Sequence, residues 1–227
     1  MNNPPALLDN RFLTRRDSMN ASITAHAGAG PARAAVVCFA CFALGIAVMH
    51  ALRPDYPPAS HMISDYAVGP WGGVMTAAFG CASAGCLLLA IGMVRSGPNS
   101  GWEWLMALLF AVVAAGLFVT ALFPTDPPGA PSTRSGDIHD ISFMVNVGGI
   151  VAASLVAVVL SWRDVRWGGF RRLGAAFAVV LLFALVVQFK TLHHGMPYGL
   201  ANRFFVTVLI AWLISVALAI QRLRPAR

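Results

Sequence analysis

Six apolar stretches, each long enough to cross a bilayer as a helix, constrain this chain more than any other feature. They are Ala34–Leu52, Trp71–Met93, Trp104–Phe123, Ile141–Leu160, Leu173–Phe189 and Leu200–Ile220. A hydrocarbon core of roughly 30 Å needs about 20 helical residues, and each stretch approaches or exceeds that length. Pro, Gly and charge separate them, in "RPDYPP", "RSGPNSG", "FPTDPPGAPSTRSGD", "WRDVRWGGFRR" and "KTLHHGMPYG". The chain is 58% hydrophobic and only 11% charged, with a mean hydropathy of +0.70. A soluble domain is about half apolar and about a quarter charged, so an ordinary globular core does not account for the excess. The apolar–polar alternation of a barrel strand is absent, and unpaired backbone groups are too costly in lipid. The expected fold is therefore all-α: a polytopic membrane protein with a bundle of six transmembrane helices over residues 32–221.

Basic residues set the expected orientation. Of the 16 Lys and Arg, 12 fall with the termini or in the two loops on their side, and 4 (Arg53, Arg134, Lys190 and Arg203) fall opposite. Both termini are thus expected in the cytoplasm, as in a bacterial inner or plasma membrane protein. A start at Met19 would leave 9 against 4 and the same orientation. The net charge of +7 follows from this bias and from anionic headgroups, with no nucleic-acid partner implied. Residues 1–31 are polar and rich in Gly, Pro and Ala, and are expected to be a disordered cytoplasmic tail. Residues 222–227 form a short basic tail on the same side.

Histidines and many of the aspartates gather at the opposite, extracytoplasmic end. Asp55, Asp65, Asp126, Asp137 and Asp140 fall there, with His50, His61, His139, His193 and His194, leaving only His26 elsewhere among the histidines. The insertion rule keeps Lys and Arg from that end but does nothing to collect histidine. "HMISDYAVGPW", residues 61–71, concentrates His61, Ser64, Asp65 and Tyr66 between two spans, and is expected to fold back over the bundle mouth.

The chain here resembles a known family. "HMISDYAVG" after the first span, "LFPTDPPG" and "GDIHD" between the third and fourth, and "GLANRFF" opening the sixth are similar to the domain-of-unknown-function 998 family of six-helix integral membrane proteins. The resemblance covers roughly residues 34–220 and implies a fold and a topology, but no activity. A weaker likeness links the chain to membrane hydrolases of the alkaline-ceramidase and adiponectin-receptor type. Those place Ser, Asp and His around zinc, but the present chain has one helix fewer.

Structural explanations compete for the same residues. Asp137, with Asp140 three residues on, is placed to cap the fourth helix. Asp126 precedes two prolines and suits a turn. Ser64 and Asp65 suit a cap entering the second helix, and His50 suits the headgroup region. His193 and His194 are adjacent and point apart, so at most one can join a shared site. Arg203, just inside the sixth helix, has Asp65 and Asp126 as natural partners, and Asp65 is preferred. Asn146 continues the His139–Phe143 face of the fourth helix and is expected to point inward, with Gly149 and Ala153 as a packing seam below it. Thr76, Gly80 and Ser83 suggest a similar seam on the second helix. The four cysteines lie in apolar helix and suggest no disulfide.

Two functions follow. The preferred reading is a non-catalytic lipid- or small-ligand-binding, sensing or assembly role, with Asp65, Arg203 and Asn146 as a ligand-binding or structural network. The alternative is a metal-dependent hydrolase acting on a lipid-like substrate at the outer membrane boundary. Its catalytic candidates are His61, Asp65, Asp126 and His139, and its candidate ligands for a divalent metal are His61, Asp126, His139 and His194. Haem fits poorly, because the histidines cluster at one end.

Overall fold

The computed structural model describes residues 27–127, 129–192 and 196–223. The expected tails, 1–31 and 222–227, and both His193 and His194 lie wholly or mostly outside that set. Six α-helices form among the described residues: α1 Ala29–Leu52, α2 Gly72–Arg95, α3 Gly101–Leu122, α4 Arg134–Arg163, α5 Arg171–Lys190 and α6 Tyr198–Gln221. Two 3-10 turns, Ile63–Ala67 and Val165–Phe170, complete the secondary structure, and no strand occurs among the described residues. Each of the six helical spans is long and apolar enough to cross a membrane, with the fifth counted from Val165. The protein is thus a multi-pass integral membrane protein.

Consecutive helices pack against one another, and α6 closes against α1. Short links make sequential neighbours antiparallel, so the loops sort to two ends. One end carries residues 53–71, 123–127, 129–133, 191–192 and 196–197, and is called here the histidine end. The other carries residues 96–100 and 164–170, and is called the Glu103 end. Leu44, Phe118, Ile141 and Val179 are exposed around the outside while alanines interleaved with large side chains such as Phe39, Met75, Phe110 and Trp212 fill the centre, the pattern of a bundle solvated by lipid. Trp102, Trp104 and Trp162 are exposed at the Glu103 end, where indoles suit a headgroup layer.

Most helix ends lie within a few residues of the hydropathy boundaries, but α4 begins seven residues earlier than Ile141. Its cap is Thr133, whose hydroxyl oxygen accepts from the Gly136 N–H at 3.2 Å. Asp137 is therefore not the cap: it lies in the first turn and accepts from the Ser132 hydroxyl at 2.6 Å. Hydropathy missed this turn because it is polar, while the backbone already has a capping oxygen there. The seam proposed for α2 is also corrected. Thr76 is exposed and Gly80 has nothing within 4 Å of the place its Cβ would take. Of that trio only Ser83 is buried, donating to the Ala114 carbonyl of α3 at 2.7 Å. Gly149 does meet α3, where a Cβ would strike Val113 at 2.6 Å. The cysteines are free thiols.

Candidate functional site

At the histidine end the connection 53–71 is folded onto the bundle by two arginines. Arg53 is buried; its Nη1 donates to the Val68 carbonyl at 2.7 Å and its Nε and Nη2 grip Asp55 at 2.9–3.1 Å. Its guanidinium also lies 3.9 Å from the centre of the Tyr56 ring. Arg203 holds the middle of the connection. Its Nε donates to His50 Nε2 at 2.7 Å and its Nη2 to the Tyr66 hydroxyl at 2.9 Å. Its Nη1 reaches the carbonyls of Pro58, His61 and Gly199. A guanidinium can only donate, so His50 Nε2 accepts and the ring hydrogen sits on Nδ1, which donates to the Ile46 carbonyl at 2.7 Å. The Gly199 N–H donates to the Ala59 carbonyl at 3.0 Å. A Cβ at Gly199 would overlap the Pro58 and His61 carbonyl oxygens, so the close docking of loop on helix requires glycine there.

The expected Asp65–Arg203 ion pair is not formed; among the described residues Arg203 makes no salt bridge. Asp65 is instead spent locally, its Oδ2 accepting from the Met62 N–H at 2.9 Å and closing the 3-10 turn. It caps this turn and not α2, whose first residue follows Trp71 in a left-handed conformation. Backbone carbonyls 58 and 61, brought in by the same loop, occupy the guanidinium first. Asp65 is buried, and that burial raises its pKa; the Met62 N–H and the nearby charges of His61, His139 and Arg203 oppose the rise. Asp126 behaves oppositely. It is half-buried, and the Thr133 hydroxyl and N–H donate to it at 2.7 and 2.8 Å, lowering its pKa. His61 meets Tyr56 edge-to-face, with ring centres 4.4 Å apart, and contacts the Ser60 hydroxyl.

Below the connection lies a narrow cavity of about 80 Å³. Met62, Ile63 and Ser64 form its lid, and α1, α2, α3, α4 and α6 form its walls. On α6 it runs from Asn202 to Leu213, eleven residues or about 16 Å of helix. The lid is fastened by the Ile63 N–H, which donates to Asn202 Oδ1 at 3.1 Å. A polar ladder stands on one wall. His139 Nδ1 donates to the Phe123 carbonyl at 2.8 Å, and Thr120 meets the Ser142 hydroxyl at 2.8 Å and Asn146 Nδ2 at 3.0 Å. Asn146 points inward as expected, and its Oδ1 is buried without a partner. Gly116 makes room for it: a Cβ there would overlap Asn146 Oδ1. Gln188 and Trp212 Nε1 also lack partners, but neither lines the cavity.

His139 and Asn146 thus meet at one cavity, Asp65 and Arg203 lie in the lid assembly above it, and His61 and Asp126 are engaged elsewhere. Among the described residues no three His, Cys, Asp or Glu side chains converge on a position that could hold a metal ion. His194, a candidate ligand, lies outside those residues.

Sequence reasoning missed the Glu103 end. Glu103, the chain's only glutamate, is 1% exposed. Its Oε2 pairs with Arg166 and accepts from the Asn99 N–H at 2.7 Å, and its Oε1 accepts from Trp167 Nε1 at 3.1 Å. Arg166 also grips Asp164 at 3.0 Å and the Gly97 carbonyl at 3.1 Å. Ser100-x-x-Glu103 is a capping-box spacing, and the Ser100 oxygen does accept from the Glu103 N–H at 3.4 Å. That spacing was the available signal.

No curated protein and no solved structure matches the chain. A family model does, over residues 36–219, and its description is a protein of unknown function, DUF998. This match spans four of the six helices whole and most of α1 and α6, the lid and cavity included, and the chain belongs to that family.

Proposed function

We propose that the protein is a non-catalytic membrane component that binds an apolar, lipid-like small molecule in the cavity beneath residues 62–64. The carrying observation is the cavity itself: narrow, walled by five helices, and covered at its histidine end by a lid that two arginines and Asn202 hold in place. A void of about 150 Å³ lined by apolar side chains stays dry and takes up benzene, so one of about half that size has room for a few carbons of an apolar chain rather than for a ring or a whole lipid.

Purification from membranes followed by organic extraction and mass spectrometry tests the reading. A stoichiometric apolar compound is expected from the native protein. It should be lost from Ala82→Leu, which fills the wall, while that variant keeps its elution volume. Equal recovery from both proteins would defeat the proposal.

The same reading places both termini in the cytoplasm of a bacterial cell, with the lid facing outward, because 12 of 16 basic residues lie on the terminal side. Reporter fusions after Arg227 and near Ser132 should give cytoplasmic and external signals respectively. A cytoplasmic signal at Ser132 would invert the arrangement.

A further inference from the structure

We infer that the groove between α1 and α6, on the outside of the bundle, holds one anionic phospholipid, with its phosphate against Arg203 and an acyl chain running down toward Ile214. This site is separate from the cavity beneath the lid, and the inference is independent of the ligand proposed there.

Two helix faces build the groove where α6 closes against α1. On α6 its lining falls at positions 203, 206, 207, 210, 211 and 214, and on α1 at 43, 46 and 50, so each helix contributes one face at helical spacing. Its volume is about 430 Å³, roughly five times that of the cavity. Ile46, Ile210 and Ile214 are half-buried while Thr207 and Ala211 are exposed, as in a trough that opens sideways to lipid. Ile63 and Val206 line both spaces and stand between them.

Depth and length match one leaflet. Arg203 lies five residues into α6, about 7 Å along the axis from Tyr198, a depth comparable to the headgroup layer. From Arg203 to Ile214 is eleven residues, about 16 Å, and half of a hydrocarbon core is about 15 Å.

The charge at the head of the groove selects the occupant. Arg203 is half-buried and has no carboxylate partner among the described residues. Asp65 is turned to the Met62 N–H, and neither Asp nor Glu lines the groove. The five acceptors around the guanidinium are all neutral, so they satisfy hydrogens but leave the charge uncompensated beside a low-dielectric medium. One donor also remains: Nη2 carries two hydrogens and meets a single acceptor, the Tyr66 hydroxyl. Phosphate is the anion that a bilayer presents at this depth, and a guanidinium suits it. A zwitterionic headgroup brings its own cation and neutralises Arg203 less well.

Native mass spectrometry of the full chain, released from detergent after incubation with phosphatidylglycerol or with phosphatidylcholine of the same acyl chains, counts the lipids bound. One phosphatidylglycerol should bind about tenfold more tightly than phosphatidylcholine, the effect of one charge-assisted contact. Arg203→Gln should remove that preference. Arg134→Gln, which deletes an exposed charge at the same end but outside the groove, should keep it. Ala211→Phe fills the exposed side of the groove with Arg203 still in place, so it should lose the tight lipid as well, and it decides the matter should Arg203→Gln fail to fold. Equal affinity for the two lipids, or a preference that survives in either groove variant, would overturn the inference. So would an equal loss in Arg134→Gln, which would assign the effect to diffuse charge. Displacement of the lipid by soluble glycerol phosphate would make free phosphate the occupant, and a dimer that Ala211→Phe dissociates would make it a second copy; either result overturns the lipid. None of these outcomes alters what is extracted from the cavity, so the two readings fail separately.

Discussion

Arg166 and Arg203 sit at opposite ends of the same bundle and hold their loops by different means. Arg166 is paired with two carboxylates, Glu103 and Asp164, and Glu103 in turn satisfies Trp167 and Asn99. Arg203 faces only neutral groups, namely three carbonyls, a tyrosine hydroxyl and an imidazole nitrogen. Its nearest candidate carboxylate, Asp65, is turned to the Met62 N–H. The difference teaches that a cation at a helix end does not choose the opposite charge by default. It takes whichever acceptors the adjoining backbone brings within reach. The Glu103 end is a closed lock with its polar atoms satisfied. The histidine end is a latch over a cavity, and behind one wall of that cavity a buried acceptor, Asn146 Oδ1, is left unpaired at Gly116.

That contrast breaks first at Glu103. Glu103→Leu strands Arg166, Trp167 Nε1 and the Asn99 N–H together, and should cost about 3–5 kcal/mol, the penalty for removing one partner of a buried pair. Thermal or denaturant unfolding in detergent measures it; a loss under 1 kcal/mol would show that the lock is ornamental.

Arg203→Met should cost less, about 2–3 kcal/mol, because its removal orphans carbonyls that retain other partners or reach water, and no stranded carboxylate is left behind. It should also free the loop. Faster hydrogen exchange confined to residues 57–67 is the expected signature, and unchanged exchange there would mean that Asn202 and Gly199 hold the lid without it.

The smallest effect is the pH dependence, where two aspartates of the histidine end oppose each other. Burial raises the Asp65 pKa, so the fold favours its protonated form. Its contribution is most favourable below the unfolded value of about 3.9, and stability falls as the pH rises through the higher folded value. The Thr133 hydroxyl and N–H lower the Asp126 pKa, so its contribution is present above the unfolded value and is lost as the pH falls through the folded one. Asp65→Asn should flatten the decline above about pH 4, and Asp126→Asn should soften the loss below it. A steeper decline in Asp65→Asn than in the native chain would reverse the assignment.

The sequence carried the class of the molecule and the number of its spans, because the requirement for some 20 apolar residues per crossing is local and leaves its mark in composition. It also carried the gathering of His50, His61 and His139 at one end, since span parity alone decides that. The inward direction of Asn146 was legible from its spacing on the His139 face. What it did not carry was which polar group meets which. Asp65 closes its own turn, Thr133 and not Asp137 caps α4, and Gly116 opens the gap that Asn146 enters. These depend on ångström-scale offsets between elements far apart in the chain. The hydropathy that builds the bundle is insensitive to such offsets, whereas hydrogen bonds change over a few tenths of an ångström. Residue order was enough to put the chain in the membrane with six helices; only the packing of α3 against α4, beneath a lid tied to α6, decided that an acceptor would be left without a donor.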